Sequence, residues 1–390
     1  MCPNVPTNPP LSGVYRDEFI NHRKLVWDLS DPRITSHHLE NAIPMALLYW
    51  TREKERIINN LQELEIRVPV QLEAKAYCLF LQKKLFNPAL LTINIIFAGG
   101  PQDEDNPVFP QDWHDLIIAP PPTIEQIQQI MAEANLPIPQ GLLFYQNVSN
   151  MAAGVVQGRI FGLKVLTINL AQQTVTVEVG DADGGLGLQV NNWRAETAMT
   201  DAQLLQAIAT ERVNPANAVL ELYAIKEEHY LESKVLSLIA TGGNLPEPWE
   251  FIIGGSVFFQ FPVITTRNGR SRYIDILARS GNAPVVIELK VASNHSDESE
   301  YYFQAIGQAM SYAGYLKGAL HNEDFGGLGI QFNNIKPTVL FPQFSIQHNY
   351  LQVFFVNLTT ALNSKLNANN NLGHYTVNLG AWQQNRTVTF

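Results

Sequence analysis

Cysteine is almost absent: Cys2 and Cys78 are the only two in 390 residues. Two thiols exclude a disulfide framework and any cysteine-based zinc spacing, and they agree with a reducing, cytoplasmic setting. Charge is sparse as well, at 16% of residues. No apolar run approaches the roughly 18 residues that a membrane-spanning helix needs, so no membrane partner is expected. The opening stretch, Met1 to Val14, is polar and carries Pro3, Pro6, Pro9 and Pro10. It lacks the basic region followed by an apolar segment that marks a secretory signal. Positive charge is in deficit too, with 26 basic against 36 acidic residues and a formal net charge of −10. That balance argues against loose nucleic-acid binding over a wide surface, because such binding depends on Lys and Arg neutralising phosphates.

What is present is a chain 46% hydrophobic, able to bury a sizeable core, and of a length that favours two domains. The charge is uneven. Residues 1–213 hold 15 basic and 23 acidic residues, and residues 214–390 hold 11 and 13. The texture changes after Asn214-Pro215, which places the expected boundary near residue 213. Before it, apolar spacing predicts a helix from Leu39 to Leu64 through Ile43, Ala46, Leu47, Trp50, Ile57, Ile58 and Leu61. Val68–Leu81 fits a strand or a helix, and Leu91–Ala98 a strand. Thr123 caps another expected helix. Arg159–Leu170 and Thr174–Val179 alternate as a hairpin. The Gly-rich acidic loop Asp181–Leu188 reads as a turn, because it lacks the later Glu of a calcium loop, and Asp201–Thr210 reads as a short helix. The fold expected of residues 1–213 is α+β of no assigned family, and no internal repeat is evident.

Beyond the boundary the order reads helix (Ala218–Ile239), extended segment (Phe251–Ile264), strand (Tyr273–Ala278), turn, strand (Ala283–Ala292) and helix (Glu298–Leu320). Strands near Pro337–Phe341 and Leu351–Asn357 follow, then an Asn-rich stretch and a final strand. This is an α/β module with a mixed central sheet flanked by helices. Strand alternation puts Glu288 and Lys290 on one face and Val285, Ile287 and Leu289 on the other. If the strands pair through Ser280-Gly281-Asn282, Asp275 shares a face with Glu288. Two such carboxylates repel unless a cation lies between them, and Mg²⁺, or Mn²⁺ in its place, suits hard oxygen ligands. Lys290 reaches the same spot, where a lysine can orient a water and stabilise phosphate charge. Spacing by itself also fits an amphipathic hairpin with a solvated charged face.

An Asp, a turn, then Glu-x-Lys in an apolar strand resembles the PD-(D/E)xK nucleases, the superfamily of many restriction endonucleases, over about residues 218–320. Two flanking features carry the resemblance further. Glu228-His229-Tyr230-Leu231 matches the acidic Glu-x-x-Leu helix, with Glu232 as the competing acid, and Gln308 and Tyr312 match the Gln and Tyr of the following helix, with Gln304 one turn earlier. Ile274 stands where the family's Pro precedes the Asp. The resemblance implies a Mg²⁺-dependent DNA endonuclease, by analogy one of restriction or anti-phage defence. Asp275, Glu288 and Glu228 would hold the metal, Lys290 would position water, and Gln308 would steady Lys290 or a phosphate. Arg267, Arg270, Arg272 and Arg279 crowd the Asp275 strand and are candidate phosphate contacts; a solvated loop is the alternative. His229 and His295 lie near the motif but form no ligand pair. Two other readings stay open: an inactive nuclease fold serving as a binding scaffold, with a protein partner for the acidic N-terminal half, and an RNase on the same core. Homo-oligomers stay open as well.

Overall fold

Apolar periodicity makes the elements, and their burial orders them. The computed structural model describes residues 16–21, 23–53, 60–98, 107–110, 142–145, 155–160, 163–169, 174–177, 220–221, 227–252, 259–267, 271–290, 298–320, 329–342, 349–377 and 387–388. The helices expected at Thr123 and Asp201–Thr210, the loop Asp181–Leu188, Arg270, and His295 lie outside the described residues. So do the side chains of Glu228 and His229. The architecture is α/β with a mixed sheet, as expected. Among the described residues no helix is long and apolar enough to cross a membrane.

The chain forms two compact units. One comprises Met1–Phe109, Pro262–Ile274 and Asn282–Thr376, the other Pro110–Phe261, Asp275–Gly281 and Val377–Phe390. This division does not follow the expected cut near residue 213. Apolar faces from the first hundred residues are buried against helices from the last hundred, so sequence-distant segments share one core.

In the first unit, β1 (Arg16–Asn21) and β2 (Lys24–Asp28) form an antiparallel hairpin. Helix α1 (Ser36–Glu53) leads to β3 (Glu63–Val68), and α2 (Tyr77–Lys83) to β4 (Thr92–Phe97). Strands β2, β3 and β4 run parallel, in the sheet order β1-β2-β3-β4. This region is therefore α/β with crossover helices. The expected helix over Leu39–Leu64 is shorter than its pattern, since Glu63–Val68 alternates half-buried and buried as a strand. Val68–Leu81 resolves into a 3₁₀ turn at Val70–Leu72 followed by α2.

The second sheet has the order β10-β12-β13-β14-β15, with β11 also paired to β12. Its strands are β10 (Glu250–Phe251), β11 (Phe259–Ile264), β12 (Ser271–Ser280), β13 (Ala283–Leu289), β14 (Lys336–Pro342) and β15 (Gly373–Val377). Gly281, at φ 61°, makes the expected turn between β12 and β13. Every residue of β13 is buried, so neither of its faces is solvated. It runs parallel to β14, with Glu288 beside Val339. Its crossover helix is α4 (Glu298–Ala319). Leu351–Asn357, expected as a strand, lies in helix α5 (Asn349–Asn363). Among the described side chains the helical repeat shows at Leu358, Ala361 and Leu362, buried at i, i+3 and i+4.

In the second unit, β5 (Leu142–Tyr145), β6 (Val155–Ile160), β7 (Leu163–Asn169) and β8 (Thr174–Val177) form an antiparallel meander, which includes the expected hairpin. Helix α3 (Glu227–Thr241) starts later than expected, because Leu220–Glu221 is a short strand, β9, paired with the terminal β16 (Thr387–Val388).

Helix α4 is buried on all sides from Ala305 to Leu316. It lies against β13 and β14 and also packs on α1 and α2. Two glycines permit the helix contacts. A Cβ at Gly307 would collide with the Glu40 carbonyl of α1, and one at Gly314 with the Leu81 carbonyl of α2. Between them lies Gln82, fully buried, whose Nε2 donates to Glu40 O (2.8 Å), Gly307 O (3.0 Å) and Ser311 Oγ (2.9 Å). Gly314→Ala should cost about 2 kcal/mol or more, because backbone rather than a yielding side chain stands in the way; urea denaturation measures it.

His374 in β15 packs on the Phe341 ring at 5.6 Å. Burial pushes its pKa down to about 4. The folded value lies below the unfolded one, so this contribution is present above about pH 6.5 and lost as pH falls toward 4. His374→Phe should flatten the acid limb of the stability–pH curve by about 3 kcal/mol between those limits; denaturant midpoints read across that range test it.

Candidate functional site

The face of β13 that carries Val286 and Glu288, continued by Lys290 just past the strand, is the face that α4 covers. Glu288 and Lys290 are 3% and 8% exposed, and Lys290 Nζ donates to Glu288 Oε1 at 2.8 Å. Ion pairs this deeply buried persist only when further hydrogen bonds complete them. Here Gln308 of α4 does so. With its amide nitrogen turned toward β13, it donates to Glu288 Oε1 at 2.9 Å, and its oxygen accepts from Arg272 Nη1 at 3.3 Å. This orientation satisfies both ends of the amide.

From Arg272 the network crosses to α1. Arg272 Nη2 lies 3.2 Å from Glu40 Oε1, and Gln304 Nε2 donates to Glu40 Oε2 at 3.5 Å. Tyr312 bonds to the same guanidinium. Lys290, Glu288, Gln308, Arg272, Glu40 and Gln304 thus form one chain of polar contacts, all within the first unit. Its charges alternate in sign and sum to zero. Burial raises the Glu40 pKa, and Arg272, Gln304 and Lys290 act against that rise. Half-burial disfavours the Arg272 charge, but Glu40 and Tyr312 outweigh it and its pKa rises.

The remaining expected residues are placed as follows. Asp275 follows Ile274 in β12, is half-buried, and belongs to the second unit. Glu228 is in α3, and the competing Glu232 is 5% exposed. Arg267 is exposed, with its backbone N–H donating to Ala74 O at 3.2 Å. Arg279 pairs with Glu250 at 3.0 Å. Of the arginines, Arg272 alone is brought to Glu288 and Lys290 among the described residues, and it arrives as a half-buried network member.

Glu40 was missing from the sequence-based set. A signal existed: it precedes Ile43 by three positions and Leu47 by seven, which puts a carboxylate on the buried stripe of α1. Among the described residues no group of three or more His, Cys, Asp and Glu side chains is arranged to hold a metal. The acid of the network beside Lys290 is a carboxylate, Glu288. A carboxylate oxygen is the kind of ligand that Mg²⁺ takes, with water and phosphate oxygens completing its shell. It does not fit a Cys/His zinc set.

Lys290→Met leaves the Glu288 carboxylate buried without its ammonium and should destabilise the fold by about 3–5 kcal/mol. Adding Glu288→Gln should recover more than half of that loss. Denaturation of both single variants and the double variant gives the coupling energy, and additive losses would contradict the pairing.

No family model, curated protein or solved structure matches this chain.

Proposed function

We propose that the chain is a metal-dependent phosphodiesterase acting on DNA, centred on Glu288 of β13 and on Lys290 just past its end. One observation carries this reading: Glu288 and Lys290, both buried, are held together at 2.8 Å at the end of β13 and tied through Gln308 to Arg272. A carboxylate, an ammonium and a guanidinium preorganised at one place suit the stabilisation of charge on a phosphoryl group. The hairpin order, Asp275 before the turn and the Gln308–Tyr312 helix support the resemblance to PD-(D/E)xK nucleases.

In this reading Glu288 would ligate Mg²⁺, a role that the resemblance also gives to Asp275 and Glu228. The ion, when bound, polarises the phosphoryl oxygen and lowers the pKa of a coordinated water. Lys290 Nζ orients the attacking water, whose oxygen bonds to phosphorus. The phosphorus–oxygen ester bond breaks, and a proton passes to the leaving oxygen. Gln308 positions Glu288. Arg272 contacts phosphate or holds the amide of Gln308, with Glu40 fixing its guanidinium. Digestion of supercoiled plasmid with Mg²⁺ or Mn²⁺ tests the assignment. Lys290→Ala and Asp275→Ala should each lower the rate by at least about a hundredfold, and undiminished cleavage in both would sink it. A parallel RNA digest separates an RNase on the same core.

A second reading has its own support. Glu288 and Lys290 neutralise each other and are almost wholly buried, as they would be in a binding scaffold that keeps this fold without catalysis. Titration calorimetry with Mn²⁺ distinguishes the two: heat lost in Glu288→Ala favours the enzyme, and no heat in wild type favours the scaffold.

A further inference from the structure

Two stretches of the chain, β1 to β4 and β12 to β15, follow one plan. The β1–β2 hairpin leads through α1 to β3, parallel to β2, and then through α2 to β4. The β12–β13 hairpin leads through α4 to β14, parallel to β13, and then through α5 to β15. Each set lies in its sheet in chain order. The helices pack reciprocally: α1 on α4, α2 on α4, and α5 on α1. Just after α2 and α5 the chain makes an isolated antiparallel bridge between Phe86 and Leu366. Asn87 N donates to Lys365 O at 3.0 Å, and Asn367 N donates to Leu85 O at 2.9 Å. Exchanging the two stretches carries each hydrogen bond onto the other, which is the behaviour of an isologous two-fold interface.

The helix sequences agree with this symmetry. Asn41-Ala42-Ile43-Pro44-Met45-Ala46-Leu47-Leu48-Tyr49 aligns with Gln304-Ala305-Ile306-Gly307-Gln308-Ala309-Met310-Ser311-Tyr312, identical at Ala42, Ile43, Ala46 and Tyr49. Met45 therefore stands where Gln308 stands. The sheets give a second correspondence. Leu29 N donates to Arg67 O at 2.9 Å, one residue past the last β2–β3 pair, and Lys290 N donates to Leu340 O at 3.2 Å, one residue past the last β13–β14 pair. Leu29 matches Lys290, and Trp27 matches Glu288. Trp27, Leu29 and Met45 are 4%, 0% and 2% exposed. The positions of the ion pair and its amide partner have thus been exchanged together for core residues, and Tyr49 packs on the Trp27 ring at 5.3 Å.

We infer that these two stretches are a fused pair of one module in which, among the described residues, only the second copy carries the polar centre, so that the chain makes one cut per encounter with a duplex. The single-cut consequence rests on the phosphodiesterase reading. The first copy serves the site of the second by supplying Glu40 to Arg272. In an ordinary two-fold dimer each copy has its own centre, and both strands are cut in one encounter. Here the second cut has no centre to make it.

Two arms test this. With supercoiled plasmid and Mn²⁺, open circles should form the majority of product, and linear DNA should appear only after a lag. Linear DNA formed from the start at the same rate as open circles overturns the single cut. No cleavage at all overturns the phosphodiesterase reading and the cut with it, and the second arm then judges the fused pair alone. Phe86 and Leu366 form a non-hydrogen-bonded pair, with Cα atoms about 4.5 Å apart by type, inside disulfide range. Phe86→Cys with Leu366→Cys, in a Cys2→Ser background, should give an intrachain disulfide in the folded monomer. Free thiols in a chain with native circular dichroism, or an interchain link, overturn the pair. Hydrogen exchange on the wild-type chain tests the pair without substitution. The amides of Asn87 and Asn367, one in each stretch, should open as one unit at one rate, and separate rates overturn it.

Discussion

The close approach of α4 to α1 and α2 is the constraint on which the rest of the first unit depends. A helix buried on every side must satisfy its packing without clash and its polar groups without water. Gly307 and Gly314 remove the Cβ atoms that would hold neighbouring backbones away. Gln82 then uses the short distance, bonding carbonyls of α1 and α4 and the Ser311 hydroxyl at once. Small residues and one buried amide therefore fix the depth at which α4 lies over β13.

That depth sets the electrostatics below it. Gln308 reaches Glu288 and Arg272 only because the helix is close to the sheet. Each charge in the network would be costly alone at this burial. Along the chain of contacts, each has an opposite charge or a neutral amide beside it. Glu40 closes the series from α1, and its carboxylate holds Arg272 turned inward. A site formed this way is stiff, because moving one member leaves a buried partner unsatisfied.

The reciprocal packing of two like modules explains why the chain departs from its first unit near residue 109 and returns near residue 262. The two modules are needed together to cover α4, so neither is a compact body alone. It also explains the first module's apolar content. Trp27, Leu29 and Met45 fill the equivalent positions with uncharged side chains, which removes the cost of desolvating charge there.

Much of the site-bearing hairpin was legible in the residues. Alternation, Gly281 and the Asp275, Glu288 and Lys290 spacing place the two strands and the helix after them, since these follow from local backbone geometry. The pairing of Lys290 with Glu288 is likewise local, two positions apart on one face. Glu40 was not legible as a partner of Arg272, because 232 positions separate them and only helix packing brings them together. Nor was the likeness of Asn41–Tyr49 to Gln304–Tyr312 evident, because four identities in nine positions carry no weight until the helices are seen to pack on each other. The strand expected at Leu351–Asn357 lies in a helix whose buried face, among the described side chains, is Leu358, Ala361 and Leu362, just past the expected stretch. By itself the sequence determined the local elements and the chemistry available on them. The tertiary structure alone decided which charges meet, because contact between distant segments depends on how closely the helices can approach.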